Sequence, residues 1–231
     1  MKAAVLYGNG DIRYDTVPTP EAGKGEVKIH VRAAGICGSD VPRVLHNGAH
    51  YYPIVLGHEF AGDVVSVGEG VTSLKAGDTV SGVPLVPCMQ CEDCRQGNYA
   101  LCKNYDFIGS RSQGAFAEYV VVPEECAIRY DPAIPYEQAA MFEPSTVALH
   151  GLFCGNYRGG GNVAVLGCGT IGIFAVQWAR IFGARNIVAL DIDEGRLALA
   201  KKMGVSAAIN TKETDFVEKA SKAAGGQLFD Y

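Results

Sequence analysis

At 231 residues with 48% hydrophobic side chains, the chain carries enough apolar material for one large domain or two modest ones. Its 20 lysines and arginines are outnumbered by 25 acidic residues and are scattered singly, never in a stripe, which excludes nucleic acid as a default partner. The opening MKAAVLYGNGDIRYD meets polar residues and glycine before any long apolar stretch, so it reads as no secretory leader, and later apolar runs fall far short of the ~20 residues of a membrane span. A soluble cytoplasmic protein is expected. Eight cysteines, four of them tightly clustered, suit a reducing compartment better than a disulfide framework.

From Val27 to about Val122 short apolar runs (VKIHVRAAGI, DVVSVG, DTVSGVPLV, AFAEYVVV) alternate with Gly, Pro and Asp about every ten residues, the rhythm of a β-barrel or sandwich that needs no helix. Within it Cys37 lies in Gly35-Ile36-Cys37-Gly38-Ser39-Asp40, flanked by glycines that let the backbone turn tightly. Gly57-His58-Glu59 follows at a strand boundary. Thiolate, imidazole and carboxylate are together a donor set for a catalytic zinc that keeps one position open. Singly, each has a plainer reading: a small buried cysteine, or a hydrogen-bonded loop.

The next motif is the most specific in the chain. Cys88, Cys91, Cys94 and Cys102 stand as C-x2-C-x2-C-x7-C in a polar loop. Four closely spaced thiolates can wrap one zinc ion at tetrahedral corners, and the metal then supplies the cohesion that a coreless loop lacks. Two-residue gaps make paired disulfides awkward, and the spacing overlaps that of iron–sulfur ligation.

After Pro135 the pattern turns helical through EQAAMFEPSTVALHGLF and then alternates strand and helix. The expected elements are strand 162–166, helix 170–182, strand 186–190, helix 194–203, a short strand 207–210, helix 215–224, and QLFDY as the start of a fourth strand. Tyr157-Arg-Gly-Gly-Gly161 is the expected joint between modules. Gly167-Cys168-Gly169-Thr170-Ile171-Gly172 follows the first strand and opens a helix, and Asp191 stands at the end of the next strand. That context makes the GxGxxG a dinucleotide fingerprint: the turn brings backbone N–H groups to a pyrophosphate, and the carboxylate accepts from ribose hydroxyls. A carboxylate there also repels a 2′-phosphate, which favours NAD over NADP.

GICGSD, GHEFAGDVVSVGEGV, the four-cysteine loop and GCGTIG stand in the order and approximate spacing of one family, and over essentially its whole length the chain resembles the zinc-containing medium-chain alcohol and polyol dehydrogenases. NGAHYYPIVLGHEF and NYDFIGSRSQGAFAEY are most similar to its galactitol-1-phosphate 5-dehydrogenase and sorbitol dehydrogenase branch. The resemblance implies a mixed α and β chain: a GroES-like β-barrel catalytic domain over residues 1–155, then the first half of a Rossmann (doubly wound α/β) domain over 156–231. It implies one catalytic and one structural zinc, NAD as hydride acceptor, a small-molecule alcohol substrate, and a homodimer or homotetramer of a longer chain. It also implies that a chain stopping at Tyr231 binds NAD poorly and turns over little.

Residue by residue, the resemblance makes Cys37 and His58 ligands of the catalytic zinc, with Glu59 and Glu143 as unranked carboxylates, and Ser39 the hydroxyl that takes the alcohol proton. Where many relatives carry a histidine at the end of that relay this chain has Pro42, which leaves His46 and His50 as candidates for the exit. Thr146 corresponds to a position near the nicotinamide and Arg196 to one near the adenosine ribose; a core threonine and an exposed helix arginine would look the same. Arg43 and Arg111 are candidate cations for a substrate phosphate. Two rival readings are a non-catalytic zinc-binding module and a zinc-free quinone-reductase-like protein; within the family, sorbitol-, butanediol- and threonine-type substrates are alternatives.

Overall fold

The computed structural model describes residues 1–231 and divides into two compact units, Met1–Glu143 and Pro144–Tyr231. In the first unit, β1 (Lys2–Gly8) pairs antiparallel with β2 (Asp11–Thr16) on one side and, after β3 (Glu26–Gly35), with β4 (Ile54–Val55) on the other. A second, antiparallel sheet has the order β10-β6-β5-β3-β9, built from β5 (Glu59–Val67), β6 (Thr79–Gly82), β9 (Tyr119–Pro123) and β10 (Ala127–Arg129) around β3. The two-residue strands β7 (Leu85–Val86) and β8 (Asp106–Phe107) pair at the two ends of the cysteine loop.

Strand alternation puts Val27 and Ile29 of β3 and Val120 and Val122 of β9 on one buried face, where they meet Phe60, Val64 and Val80. The expectation of a helix-free β region needs correction. Short helices interrupt it at α1 (Asp40–Pro42), which runs into a π-helical turn over Arg43–Asn47, and at α2 (Glu92–Arg95) inside the cysteine loop. Both form where Ser, Asp and Glu supply the first turn, a local signal that the strand-sized rhythm around them masked.

The expected helix after Pro135 is split into α3 (Tyr136–Ala139) and α4 (Phe142–Cys154). Pro144 explains the break: it lacks an N–H and is accepted only in a helix's first turn, where its N–H would have no partner anyway, so a new helix starts just ahead of it. The units divide inside α4, between Glu143 and Pro144, whereas the sequence pointed to 155/156. The rest of α4 belongs with the second unit: Trp178 Nε1 donates to the Ser145 carbonyl at 3.0 Å, and Leu152 packs against the core cluster that contains Val163 and Val176. The expected Tyr157–Gly161 joint is likewise anchored there, with Tyr157 buried and its hydroxyl donating to the Ala179 carbonyl at 3.2 Å.

The second unit is a parallel sheet in the order β11-β12-β13, comprising β11 (Asn162–Leu166), β12 (Asn186–Asp191) and β13 (Ala207–Asn210), with crossovers α5 (Thr170–Ile181) and α6 (Glu194–Lys202). Helix α7 (Phe216–Ala223) follows. Residues Ile187 to Asp191 of β12 are all buried, as expected of a central parallel strand covered on both faces. Helix α5 buries Ile173, Val176 and Ala179 at three-residue intervals, and Asp193 caps α6 by accepting from the Arg196 N–H at 2.9 Å. The expected fourth strand at QLFDY is not formed, but Asp230 N–H donates to the Asn162 carbonyl and Ala164 N–H to Tyr231, on the side of β11 away from β12. No helix is long and apolar enough to cross a membrane.

Candidate functional site

Gly35 ends β3 and Glu59 begins β5, and the two are register partners across the antiparallel pair. The glycine is required: a Cβ on it would lie 2.3 Å from Glu59 Oε2, so the carboxylate occupies the space a side chain would fill. The same register carries Cys37, two residues beyond Gly35, to His58, one residue before Glu59. The ligand atoms of Cys37, His58 and Glu59 all lie within 4.8 Å of one another. Burial pushes the Glu59 carboxyl above its usual range, partly offset by His58 and Cys37. Glu143, at the start of α4, is within reach of this charge: burial first, and then Glu59, push it up to about 7.

Behind the trio stands a residue that the sequence reading missed. Asp40 is 2% exposed; its Oδ2 accepts from the Cys37 N–H at 3.1 Å, and its Oδ1 lies 3.7 Å from His58 Nδ1. Neither Asp40 Oδ1 nor His58 Nδ1 has a hydrogen-bond partner, although both are buried. Burial raises the Asp40 carboxyl, while His58, the Cys37 N–H and Arg43 act in the other direction. The available signal was an acid three residues after a cysteine in a glycine-rich loop, which by itself reads as an ordinary turn. Ser39 is exposed and its Oγ lies 3.3 Å from Cys37 Sγ. His46 and His50 are exposed, His46 in the π-helical turn and His50 in the loop that follows.

The second cluster is held by the cysteine loop itself. The sulfurs of Cys88, Cys91, Cys94 and Cys102 lie within 4.8 Å of one another, and all eight cysteines of the chain are free thiols. Backbone N–H groups already point at the sulfurs: Cys91 N–H to Cys88 at 3.4 Å and Cys88 N–H to Cys102 at 3.3 Å. Backbone hydrogen bonds from Cys94 and Lys103 hold the Cys91 thiol down at about 6, whereas burial and the adjoining thiols push Cys94 up to about 12. Four sulfurs so close cannot all ionise unless a cation shares the charge, so the donor set fits a soft divalent metal.

In the second unit the three glycines of the turn do different work. Gly167 has φ +93°, which a side chain would resist, Gly169 caps α5 with open space around it, and a Cβ on Gly172 would lie 1.8 Å from the Gly167 carbonyl. Ile171 is exposed at the first turn of α5. Asp191 is buried at the end of β12, where its Oδ2 accepts from the Cys168 N–H at 2.6 Å and its Oδ1 from the N–H groups of Ile192 and Asp193. Those bonds, led by Cys168, hold its carboxyl below the usual range. Arg196 is exposed, with Nη1 3.8 Å from Asp191 Oδ2, and Thr146 is exposed on α4.

Residues 23–132 match the alcohol dehydrogenase GroES-like domain and residues 170–231 the zinc-binding dehydrogenase family. Galactitol 1-phosphate 5-dehydrogenase of Escherichia coli (strain K12) is 44% identical over 214 residues, which is 92% of this chain and 62% of that protein. A crystal structure of galactitol-1-phosphate dehydrogenase from Escherichia coli superposes with a TM-score of 0.89 at 44% identity, covering 93% of this chain and 62% of that one. L-threonine 3-dehydrogenase of Proteus mirabilis (strain HI4320) is 37% identical over all of this chain and 69% of its own length. This chain thus spans somewhat less than two thirds of the first relative's length. With both of its units matched, and with donors and glycines grouped as the motifs require, the chain belongs to the zinc-containing medium-chain alcohol and polyol dehydrogenases.

Proposed function

We propose that this protein is a zinc- and NAD-dependent oxidoreductase that removes hydride from a secondary alcohol of a polyol or sugar-alcohol phosphate. The observation that carries the reading is the convergence of Cys37, His58 and Glu59 in front of the buried, half-satisfied Asp40. Cys37, His58 and Glu59, with Glu143 as a further carboxylate, would hold the catalytic zinc, and Cys88, Cys91, Cys94 and Cys102 a structural one. Bound there, zinc supplies Lewis acidity that makes an alcohol oxygen easier to deprotonate.

The chain's own residues do the rest. Asp40 faces His58 Nδ1 at 3.7 Å, which leaves Nε2 as the ring nitrogen for a ligand; once that gap closes to a hydrogen bond the carboxylate would fix the tautomer and the ring's orientation. The Ser39 hydroxyl takes the alcohol proton and, being exposed, hands it to water, a route suited to a chain with proline at position 42. Backbone N–H groups opening α5, behind Gly167, Gly169, Ile171 and Gly172, bind the pyrophosphate. Asp191 binds the adenosine ribose and turns away a 2′-phosphate, with Arg196 beside it; Thr146 serves the nicotinamide end. The free thiols suit a cytoplasmic site of action, and the family expectation of a homodimer or homotetramer goes with the reading.

Metal analysis joined to an NAD-linked assay tests it. Two zinc ions per chain and oxidation of a secondary polyol hydroxyl are expected in the protein expressed from its natural gene. One zinc without turnover would instead indicate a binding module, and no zinc a quinone-reductase-like protein.

A further inference from the structure

We propose that Arg43, steadied by Ser110, is the anion-binding residue of the substrate pocket and receives the phosphate of a phosphorylated polyol. The inference rests on the function proposed above and narrows its substrate class.

Two separate stretches of chain that flank the Cys37, His58 and Glu59 cluster meet at this guanidinium. Arg43 ends the short helix that begins at Asp40, and its N–H donates to the Asp40 carbonyl, so it sits one turn from the carboxylate that faces His58. From the other side, the Phe107 ring meets the His58 ring edge-on at 5.5 Å. Ser110 follows, with its N–H donating to the Phe107 carbonyl at 3.1 Å. Arg43 Nη1 donates to Ser110 Oγ at 2.5 Å and closes the bridge between the two stretches.

Charge makes the residue stand out. Arg13, Arg32 and Arg129 in the same unit each have a carboxylate within 4.0 Å, at Asp11, Asp63 and Asp78. Arg43 is half-buried and has no carboxylate within 4.0 Å, although Asp40 feels its charge; its guanidinium hydrogen-bonds to the neutral hydroxyl of Ser110, itself 4% exposed. A guanidinium carries five N–H donors in a planar fork, and a partly desolvated one with no carboxylate in direct contact gains most from a bidentate anion. The other candidate, Arg111, is engaged: its guanidinium stacks over the Tyr105 ring at 4.6 Å and donates to that hydroxyl at 3.3 Å. Phosphate is preferred over a carboxylate because the relative at 44% identity is named for a polyol phosphate.

The test compares a polyol phosphate with the matched unphosphorylated polyol in the zinc-loaded protein from its natural gene, using wild type, Arg43→Lys and Arg43→Gln. The wild type should prefer the phosphorylated substrate. In Arg43→Gln the KM for the phosphate ester should rise at least tenfold relative to that for the plain polyol, and Arg43→Lys should fall between. Calorimetric titration of the wild type with the polyol phosphate, with and without inorganic phosphate as competitor, reads the same subsite independently of turnover; competition is expected. Equal losses on both substrates would make Arg43 a structural staple and overturn the subsite, as would wild-type indifference to the phosphate, while leaving the dehydrogenase reading intact. Failure to oxidise any alcohol would instead sink that reading and the subsite with it.

Discussion

The sharpest quantitative consequence of the structure concerns two glycines three residues apart in the same turn. A methyl on Gly172 would lie 1.8 Å from the Gly167 carbonyl oxygen and 3.5 Å from Val165 Cγ1, so the turn must retreat by roughly 1 Å or more, an overpacking change that costs about 1–3 kcal/mol. Helix propensity returns at most about 1 kcal/mol, because Ala is preferred to Gly in a helix. The net loss for Gly172→Ala is therefore about 1–2 kcal/mol, or about 4–16 °C in Tm for a unit the size of Pro144–Tyr231. Gly169 is the control: it lies at φ −68° with nothing within 4 Å of the place a methyl would take, so Gly169→Ala should leave Tm within about 1 °C of wild type. Both changes should weaken NADH binding at least tenfold, the first by moving the N–H groups and the second by filling the space through which a pyrophosphate approaches. In the protein expressed from its natural gene, thermal unfolding followed by circular dichroism, with binding read from the fluorescence of NADH itself, reads both quantities. A Gly169→Ala protein less stable than Gly172→Ala would refute the assignment of separate roles.

Three further outcomes are expected. Phe60 is fully buried against the close backbone of Gly82, so Phe60→Ala should cost about 3–5 kcal/mol in urea unfolding; because it follows Glu59 directly, zinc should also dissociate faster. At Asp63, burial raises the carboxyl, but hydrogen bonds from Arg32 and Tyr136, each 2.7 Å long, outweigh it and leave the group below its ordinary range. A lowered folded-state pKa stabilises above the ordinary aspartate value near 3.9 and is lost as pH falls through the folded value, so Asp63→Asn should flatten the acid limb of stability below about pH 4 and cost about 1 kcal/mol at neutrality. Asp40→Asn should lower zinc affinity at the Cys37 site by about 10–100-fold in a chelator competition, while cysteine-loop zinc is retained.

Much of the second unit was readable because each boundary has its own chemical marker. Strands β11 and β13 begin and end where the apolar runs do, and α6 opens on Asp193 and gives way to Gly204. The family, too, was readable from motif order. Periodicity could not see the break before Pro144, which depends on a missing N–H, or the anchoring of Tyr157, which depends on a carbonyl 22 residues away in α5. Nor could it rank the carboxylates near Cys37. Cys37 and His58 meet because Gly35 pairs with Glu59, a register that the bulges between Lys28 and Ile29 and between Val31 and Ala33 help to set, and bulges leave little trace in a hydrophobic pattern.

Asp40 is the residue on which the metal reading turns. Three buried side-chain atoms in the chain have no hydrogen-bond partner, and two of them, Asp40 Oδ1 and His58 Nδ1, face each other at 3.7 Å. Each such atom costs about 1–3 kcal/mol against solvation, and a modest closing of the 3.7 Å gap would let each satisfy the other. A metal ion on the ring would supply a third constraint. If Nε2 is held by an ion that Cys37 and Glu59 also bind, the ring cannot turn freely to meet Asp40. The carboxylate then stays within reach of Nδ1, ready to strengthen that contact as charge is drawn through the imidazole. Gly35 completes the arrangement, because a side chain there would take the space that Glu59 fills beside Cys37 and His58.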